Sequence, residues 1–116
     1  MSYKTDQEAF WAGEFGTRYI TRNASSGLLA ANLSFFSRAL RRTAALRSCL
    51  EFGANIGMNL RALKLLYPDM TQAAVEINAE AAKNLGEFIG ERQVFCGSML
   101  DFQVTERFDL VLIKGV

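Results

Sequence analysis

LEFGANIGMNL, Leu50 to Leu60, is the stretch on which the fold of this chain turns. An apolar run from Cys49 closes on Glu51 and Phe52. Gly53 and Gly57 follow, with Asn55 midway between them, and a helical pattern, MNLRALKLLY, begins at once. Strand, glycine turn and helix in that order make the opening unit of a parallel α/β sheet, with a turn whose backbone amides approach a ligand closely. Pro68 ends the helix.

Working outward, QAAVEI predicts a second strand and NAEAAKNLGEFIG a second helix, with Asn78 as its N-cap. QVFC predicts a third strand and FDLVLI a fourth. Continuously apolar strands alternating with helices predict an α/β, Rossmann-like, doubly wound parallel sheet covered on both faces, with right-handed crossovers. The expected order 3-2-1-4 leaves strand 4 as an apolar edge. The chain stops at Val116, so the sheet is expected to be truncated after strand 4, or to have that edge covered by a partner. Homo-oligomerisation through strand 4 is the expectation drawn from it.

Residues 1–47 predict an N-terminal helical segment, a lid or cap within the same domain as residues 48–116. Thr5 to Glu8 reads as a capping box for a helix through Trp11, which Gly13 and Gly16 weaken. Trp11, Phe15 and Tyr19 recur at i, i+4, i+8, a stripe expected to pack on the sheet. The alternative makes this segment a lid that bends at Gly16, with Tyr19 or Glu14 touching substrate. Ser25 and Ser26 cap a further helix to about Arg42, with Leu29, Leu33, Phe36 and Leu40 on one face. Arg38, Arg41 and Arg42 are placed in its last turn, where cations complement the helix dipole.

Composition narrows the function. Of 116 residues 50% are hydrophobic, enough for one compact core, and the net charge of +1 gives no global field for nucleic acid or acidic membranes. No run approaches a membrane span, and the polar N-terminus is not a leader, so a cytoplasmic protein is expected. Asn23-Ala24-Ser25 and Asn32-Leu33-Ser34 match the glycosylation pattern, which means nothing without a leader. Cys49 and Cys96 both read as small core residues rather than a disulfide or metal site. The absence of histidine removes His-based triads and His-ligated metal.

The turn discriminates between ligands. In the dinucleotide pattern G-x-G-x-x-G, the second glycine admits a pyrophosphate, but Asn55 stands there and Met58 replaces the third. Asn tolerates a left-handed backbone, so the turn survives. Glu51, two residues before Gly53, aims negative charge where phosphates would lie and suits a ligand with a cationic end. S-adenosylmethionine is such a ligand, with an ammonium and a sulfonium. Glu51 is expected to pair with its ammonium side, and Gly53, Ala54, Asn55 and Gly57 to pass beside its methionyl and ribose parts. Glu76, at the end of the second strand and 19 positions after Gly57, is the acceptor for the ribose hydroxyls, with Ile77 beside it. Ser98 is the candidate for the adenine amino group and the Met99 N–H for a ring nitrogen. Lys114 and Gly115 stand at the mouth. Each has a plainer reading too: a tight turn for the glycines, a solvated strand end for Glu76 and Lys114, a turn serine for Ser98.

In order and spacing these residues resemble the class I methyltransferase motifs. Three runs, QEAFWAGEFGTRYITRN, LEFGANIGMNLRAL and FDLVLIKGV, more closely resemble the pseudaminic acid biosynthesis-associated methylases, over nearly the whole chain. That resemblance implies an S-adenosylmethionine-dependent methyltransferase of sialic-acid-like sugar biosynthesis, associated with flagellar or surface glycans, acting on a small-molecule or glycan-linked substrate. The family's chains continue past strand 4, so substrate-pocket residues from that part have no counterpart here. No catalytic base is assigned. An Asn-Pro-Pro-Tyr-like motif is absent where Ile113-Lys114-Gly115 stand, which argues against nucleic-acid adenine methylation. Two other classes stay open: a nicotinamide-dependent oxidoreductase fragment, and a non-catalytic interaction module.

Overall fold

The computed structural model describes residues 3–23 and 25–114. Three helices come first, α1 (Asp6–Ala12), α2 (Glu14–Asn23) and α3 (Ser26–Ala39). The alternating part follows as β1 (Ser48–Phe52), α4 (Met58–Leu66), β2 (Thr71–Glu76), α5 (Ala79–Ile89), a 3₁₀ turn at Glu91–Gln93, β3 (Val94–Cys96) and β4 (Leu110–Ile113). All strand pairs are parallel, in the order β3-β2-β1-β4. This is the expected Rossmann-like sheet through its fourth strand.

Register sorts the strand residues by face. Glu51 lies level with Ala74 and Leu112, and Ala74 with Val94. Parallel neighbours at one level share a face and alternate residues follow suit, so Cys49, Ala74, Val94, Leu110 and Leu112 point one way. These strand residues pack with Phe36 of α3, Leu60 and Leu63 of α4, and Leu85 of α5. All three helices therefore cover the same face. Right-handed crossovers from β1 to β2 and from β2 to β3 advance in one direction, which places α4 and α5 together.

The other face differs from expectation. It carries Leu50, Phe52, Val75, Phe95, Val111 and Ile113, and β3 reaches β4 through an irregular segment, residues 97–109, instead of a helix. Phe102 of that segment packs edge-on against Phe52 at 5.8 Å between ring centres and lies 5.4 Å from Phe95. Leu50 and Val75 are buried, whereas Phe95, Val111 and Ile113 stay exposed. Covering of both faces is thus not met along β4. Cys96 is exposed as well, at the end of an edge strand, and only Cys49 is a core thiol.

Local signals account for the element ends. The Asn78 side chain accepts from Ala81 N–H at 3.0 Å, and Ser25 Oγ from Leu28 N–H at 3.1 Å, each satisfying a free amide of a helix start. Leu29, Leu33, Phe36 and Leu40 all pack on the core. α3 ends at Ala39, so Arg41 and Arg42 lie beyond it and only Arg38 occupies its last turn. Thr5 caps α1 by accepting from Glu8 N–H at 3.0 Å, but the returning arm of the box is displaced: Glu8 Oε1 accepts from Lys4 N–H. The predicted helix through Trp11 is bounded by Gly13, which caps α1 and separates it from α2. The bend is there and not at Gly16. Gly16 packs so tightly that a Cβ would lie 1.7 Å from the Trp11 carbonyl oxygen. No helix among the described residues is long and apolar enough to cross a membrane.

Candidate functional site

Strand order reverses at β1, with β2 on one side and β4 on the other. In open α/β sheets the crevice beyond the carboxyl ends of the strands at such a reversal is the binding place. A cavity of about 460 Å³ opens there, within the usual range for small-molecule sites.

The β1–α4 turn forms its floor. Gly53 (φ 73°), Asn55 (φ 54°) and Gly57 (φ 81°) are all left-handed, as the glycines and asparagine predict. Gly53 and Ala54 donate to the Val75 carbonyl at 2.8 and 3.3 Å, tying the turn to β2. Gly57 serves packing: a Cβ there would meet Leu85 Cδ2 at 2.7 Å. Gly53, Ala54, Asn55 and Ile56 line the cavity and Gly57 does not.

Glu76 and Ile77 line the adjoining wall at the end of β2. Glu76 Oε1 accepts from Asn55 N–H and Oε2 from Asn78 N–H, both at 2.7 Å. Burial raises its pKa, and the backbone N–H donors of Asn78, Asn55 and Ile77 oppose that rise. With these backbone donors on the roughly four lone-pair sites of a carboxylate, Glu76 keeps room for a further donor.

Glu51 is 1% exposed and lies beneath the cavity wall instead of in it. Its Oε2 accepts from Asn59 Nδ2 at 2.7 Å, and Asn59 does line the cavity. Its Oε1 has no hydrogen-bond partner. Burial pushes the Glu51 pKa up to about 7; the Asn59 bond and the Lys114 charge oppose this, and the Glu76 charge adds to it. A buried carboxylate with a free oxygen is an unmet demand for a donor or a cation.

At the far end, Met99 and Leu100 line the cavity with Gly97. Ser98 does not. Its Oγ donates to Glu8 Oε2 and accepts from Leu100 N–H, so the hydroxyl assigned to adenine is used to hold α1. Lys4 adds an ion pair with Asp101 at 3.1 Å. Asn78 Nδ2 donates to Trp11 O and Thr17 Oγ1, both at 3.1 Å. The α1–α2 segment is thereby tied to both β3 and α5, and Thr5, Gln7, Glu8, Trp11 and Gly16 form part of the cavity wall. Phe15 stacks on Phe10 at 4.4 Å and meets Trp11 edge-on at 5.8 Å, so the aromatic stripe packs partly on itself. Glu14 is exposed and absent from the wall. The Tyr19 side chain and Gly115 lie outside the described residues.

Lys114 lines the cavity at the end of β4, its Nζ 5.3 Å from the Phe35 ring centre. Sequence reasoning missed Asn59, Trp11 and Asn32 as cavity residues. Asn59 falls eight positions after Glu51, in the first turn of α4, and that spacing was its only signal. Among the described residues no cluster of His, Cys, Asp or Glu is placed to hold a metal ion.

No family model and no curated protein matches the sequence. Solved structures do match in shape. The sugar N-methyltransferase KedS8 from Streptoalloteichus superposes with a TM-score of 0.65 at 23% identity, over 97% of this chain and 43% of its own. Streptomyces venezuelae DesVI gives 0.60 at 20%, over 96% and 44%. The plantazolicin methyltransferase BpumL, solved with S-adenosylhomocysteine, gives 0.61 at 18%, over 91% and 44%. The chain has the fold of class I methyltransferases. It spans less than half the length of these structures, and the likeness is one of fold.

Proposed function

We propose that the chain is the cofactor-binding part of an S-adenosylmethionine-dependent methyltransferase. The charge around the cavity carries this reading. Glu76 stands on the wall, Glu51 beneath the turn, and Lys114 is the one cation of the wall among the described residues. A dinucleotide pyrophosphate against that turn would face both carboxylates. S-adenosylmethionine has no phosphate and brings an ammonium and a sulfonium instead. The fold neighbours solved with S-adenosylhomocysteine support the same ligand.

Roles follow from the geometry. Glu76 accepts from ribose hydroxyls with the lone pairs its backbone donors leave free, beside Ile77. Gly53, Ala54 and Asn55 bring backbone close to the ligand, with Gly57 shaping the turn. Because Ser98 does not line the cavity, adenine reading falls to Met99 and Leu100. Glu51 balances the ammonium. When bound, the cofactor supplies an electrophilic methyl group on its sulfonium, for in-line transfer to an acceptor. The chain holds that methyl in position, and the α1–α2 segment shields the site from water.

The acceptor we propose is a sugar, small or glycan-linked, in pseudaminic or sialic-acid-like biosynthesis. Support comes from the resemblance of the three sequence runs and from the sugar N-methyltransferase among the fold neighbours. Two unpaired thiols agree with a reducing cytoplasm.

Calorimetric titration tests the cofactor. S-adenosylmethionine should bind saturably and NAD should not. Glu76→Ala should raise Kd by about tenfold or more, the loss of charge-assisted hydrogen bonds. A folded chain that binds neither ligand would overturn the proposal.

A further inference from the structure

Asn32 is the buried polar residue that nothing in the fold explains. It lies in α3 one turn before Phe36, on the face that Leu29, Leu33, Phe36 and Leu40 turn to the core. It is 6% exposed, and its side-chain amide makes no hydrogen bond among the described residues. Among the described residues the sealed-off polar atom without a partner is Glu51 Oε1, so the Asn32 amide, with no hydrogen bond of its own, opens onto the cavity instead of into the core. The side chain lines the cavity, as does Leu28 one turn earlier.

Its surroundings define the ligand group. Phe35, one helical turn on from Asn32, carries the Lys114 ammonium over its ring at 5.3 Å. Asn32 and Lys114 therefore flank the same end of the cavity, beyond β1 and β4. Lys114 is also the cation close enough to act on the Glu51 carboxylate. One end of the cavity thus combines a cation and a free amide on its wall, with the Glu51 carboxylate and its unpartnered oxygen one layer beneath, reached through Asn59. That set complements a zwitterion, with both a carboxylate and an ammonium on one carbon.

The geometry points to Asn32 and Lys114 as the residues that hold the α-carboxylate of the ligand's amino-acid end, with the ammonium turned toward Glu51. The inference rests on the proposed cofactor and adds which residues read which group. Asn32 is chosen over a second lysine because the end must not repel the ammonium beside it. An amide donates to the carboxylate and adds no charge.

Two ligands separate binding from folding. S-adenosylmethionine carries the amino-acid end, and 5′-methylthioadenosine lacks it. Asn32→Leu removes an amide that bonds nothing in the fold and should leave the urea midpoint unchanged or raised. It should weaken S-adenosylmethionine roughly tenfold and 5′-methylthioadenosine not at all. Asn32→Asp should weaken S-adenosylmethionine further, by repelling the carboxylate. Lys114→Met should repeat the selective loss. Asn32→Ala stands in if the leucine variant does not fold. Equal loss for both ligands would reduce Asn32 to a structural residue, and tighter binding by Asn32→Asp would put it beside the ammonium instead; either sinks the inference while leaving the cofactor in place. Failure of the parent chain to bind S-adenosylmethionine would remove the proposed function and this inference with it.

Discussion

Glu51 has Asn59 on one oxygen and no hydrogen bond on the other, at 1% exposure. Burial holds its pKa near 7 in the folded chain against an ordinary 4.5. Between those values the folded state binds a proton that the unfolded chain has released. A raised carboxylate pKa therefore favours folding below about pH 4.5, and that contribution is lost as pH rises through about 7. The shift corresponds to about 3 kcal/mol. Glu51→Gln mimics the protonated form and removes the slope. Urea unfolding of the two chains should agree at pH 4.5 and differ by about 3 kcal/mol in favour of the variant at pH 8; a gap that does not vary with pH would mean an ordinary carboxylate. Glu76 is raised too, so only the difference between the chains isolates Glu51. A cationic ligand end selects the ionised form. S-adenosylmethionine binding near pH 6 should accordingly release a proton, seen as a buffer-dependent heat in calorimetry.

At the scale of elements, Asn78 joins two jobs. Its Oδ1 caps α5, and its Nδ2 donates to Trp11 O and Thr17 Oγ1, holding the α1–α2 segment. Asn78→Ala loses both and should cost roughly 2–3 kcal/mol in urea unfolding. Asn78→Asp keeps the cap and loses the donors. Its amides in residues 6–23 should exchange faster while those of α5 stay protected; uniform exchange would show that the ties do not hold the segment. The capping role was legible in the sequence, because N-A-E ahead of an apolar helical pattern is a local signal. So were the four strands, each a short apolar run. What was not legible depends on distance. Nothing near Ser98 announces that Glu8, 90 positions earlier, takes its hydroxyl. Asn32 sits among helical apolar residues, where its only pattern was a glycosylation match, and its burial shows only once α3 lies against the cavity. The break between α1 and α2 falls at Gly13, a residue that equally allows a weakened helix to continue.

At the scale of the whole molecule, three helices share one face of a four-stranded sheet and a loop serves the other. The imbalance concentrates at β4. Leu110 and Leu112 pack inward, while Val111 and Ile113 are 51% and 62% exposed on a strand that is an edge of the described sheet. An apolar edge strand offers both unpaired backbone groups and side chains to another chain. The chain should therefore associate with itself through β4, with a hydrodynamic size that grows with concentration. Val111→Lys with Ile113→Lys adds two charges to that strip and leaves Leu110 and Leu112 in the core. Gel filtration with light scattering should then report a monomer across the same concentrations. Because both positions are already half-exposed, the change in unfolding free energy should stay within about 0.5 kcal/mol per site, and the loss of association would not be a loss of fold. If the parent chain is monomeric at every concentration, the exposed β4 strip is not a contact between copies of this chain, and the charged variants should behave as the parent does.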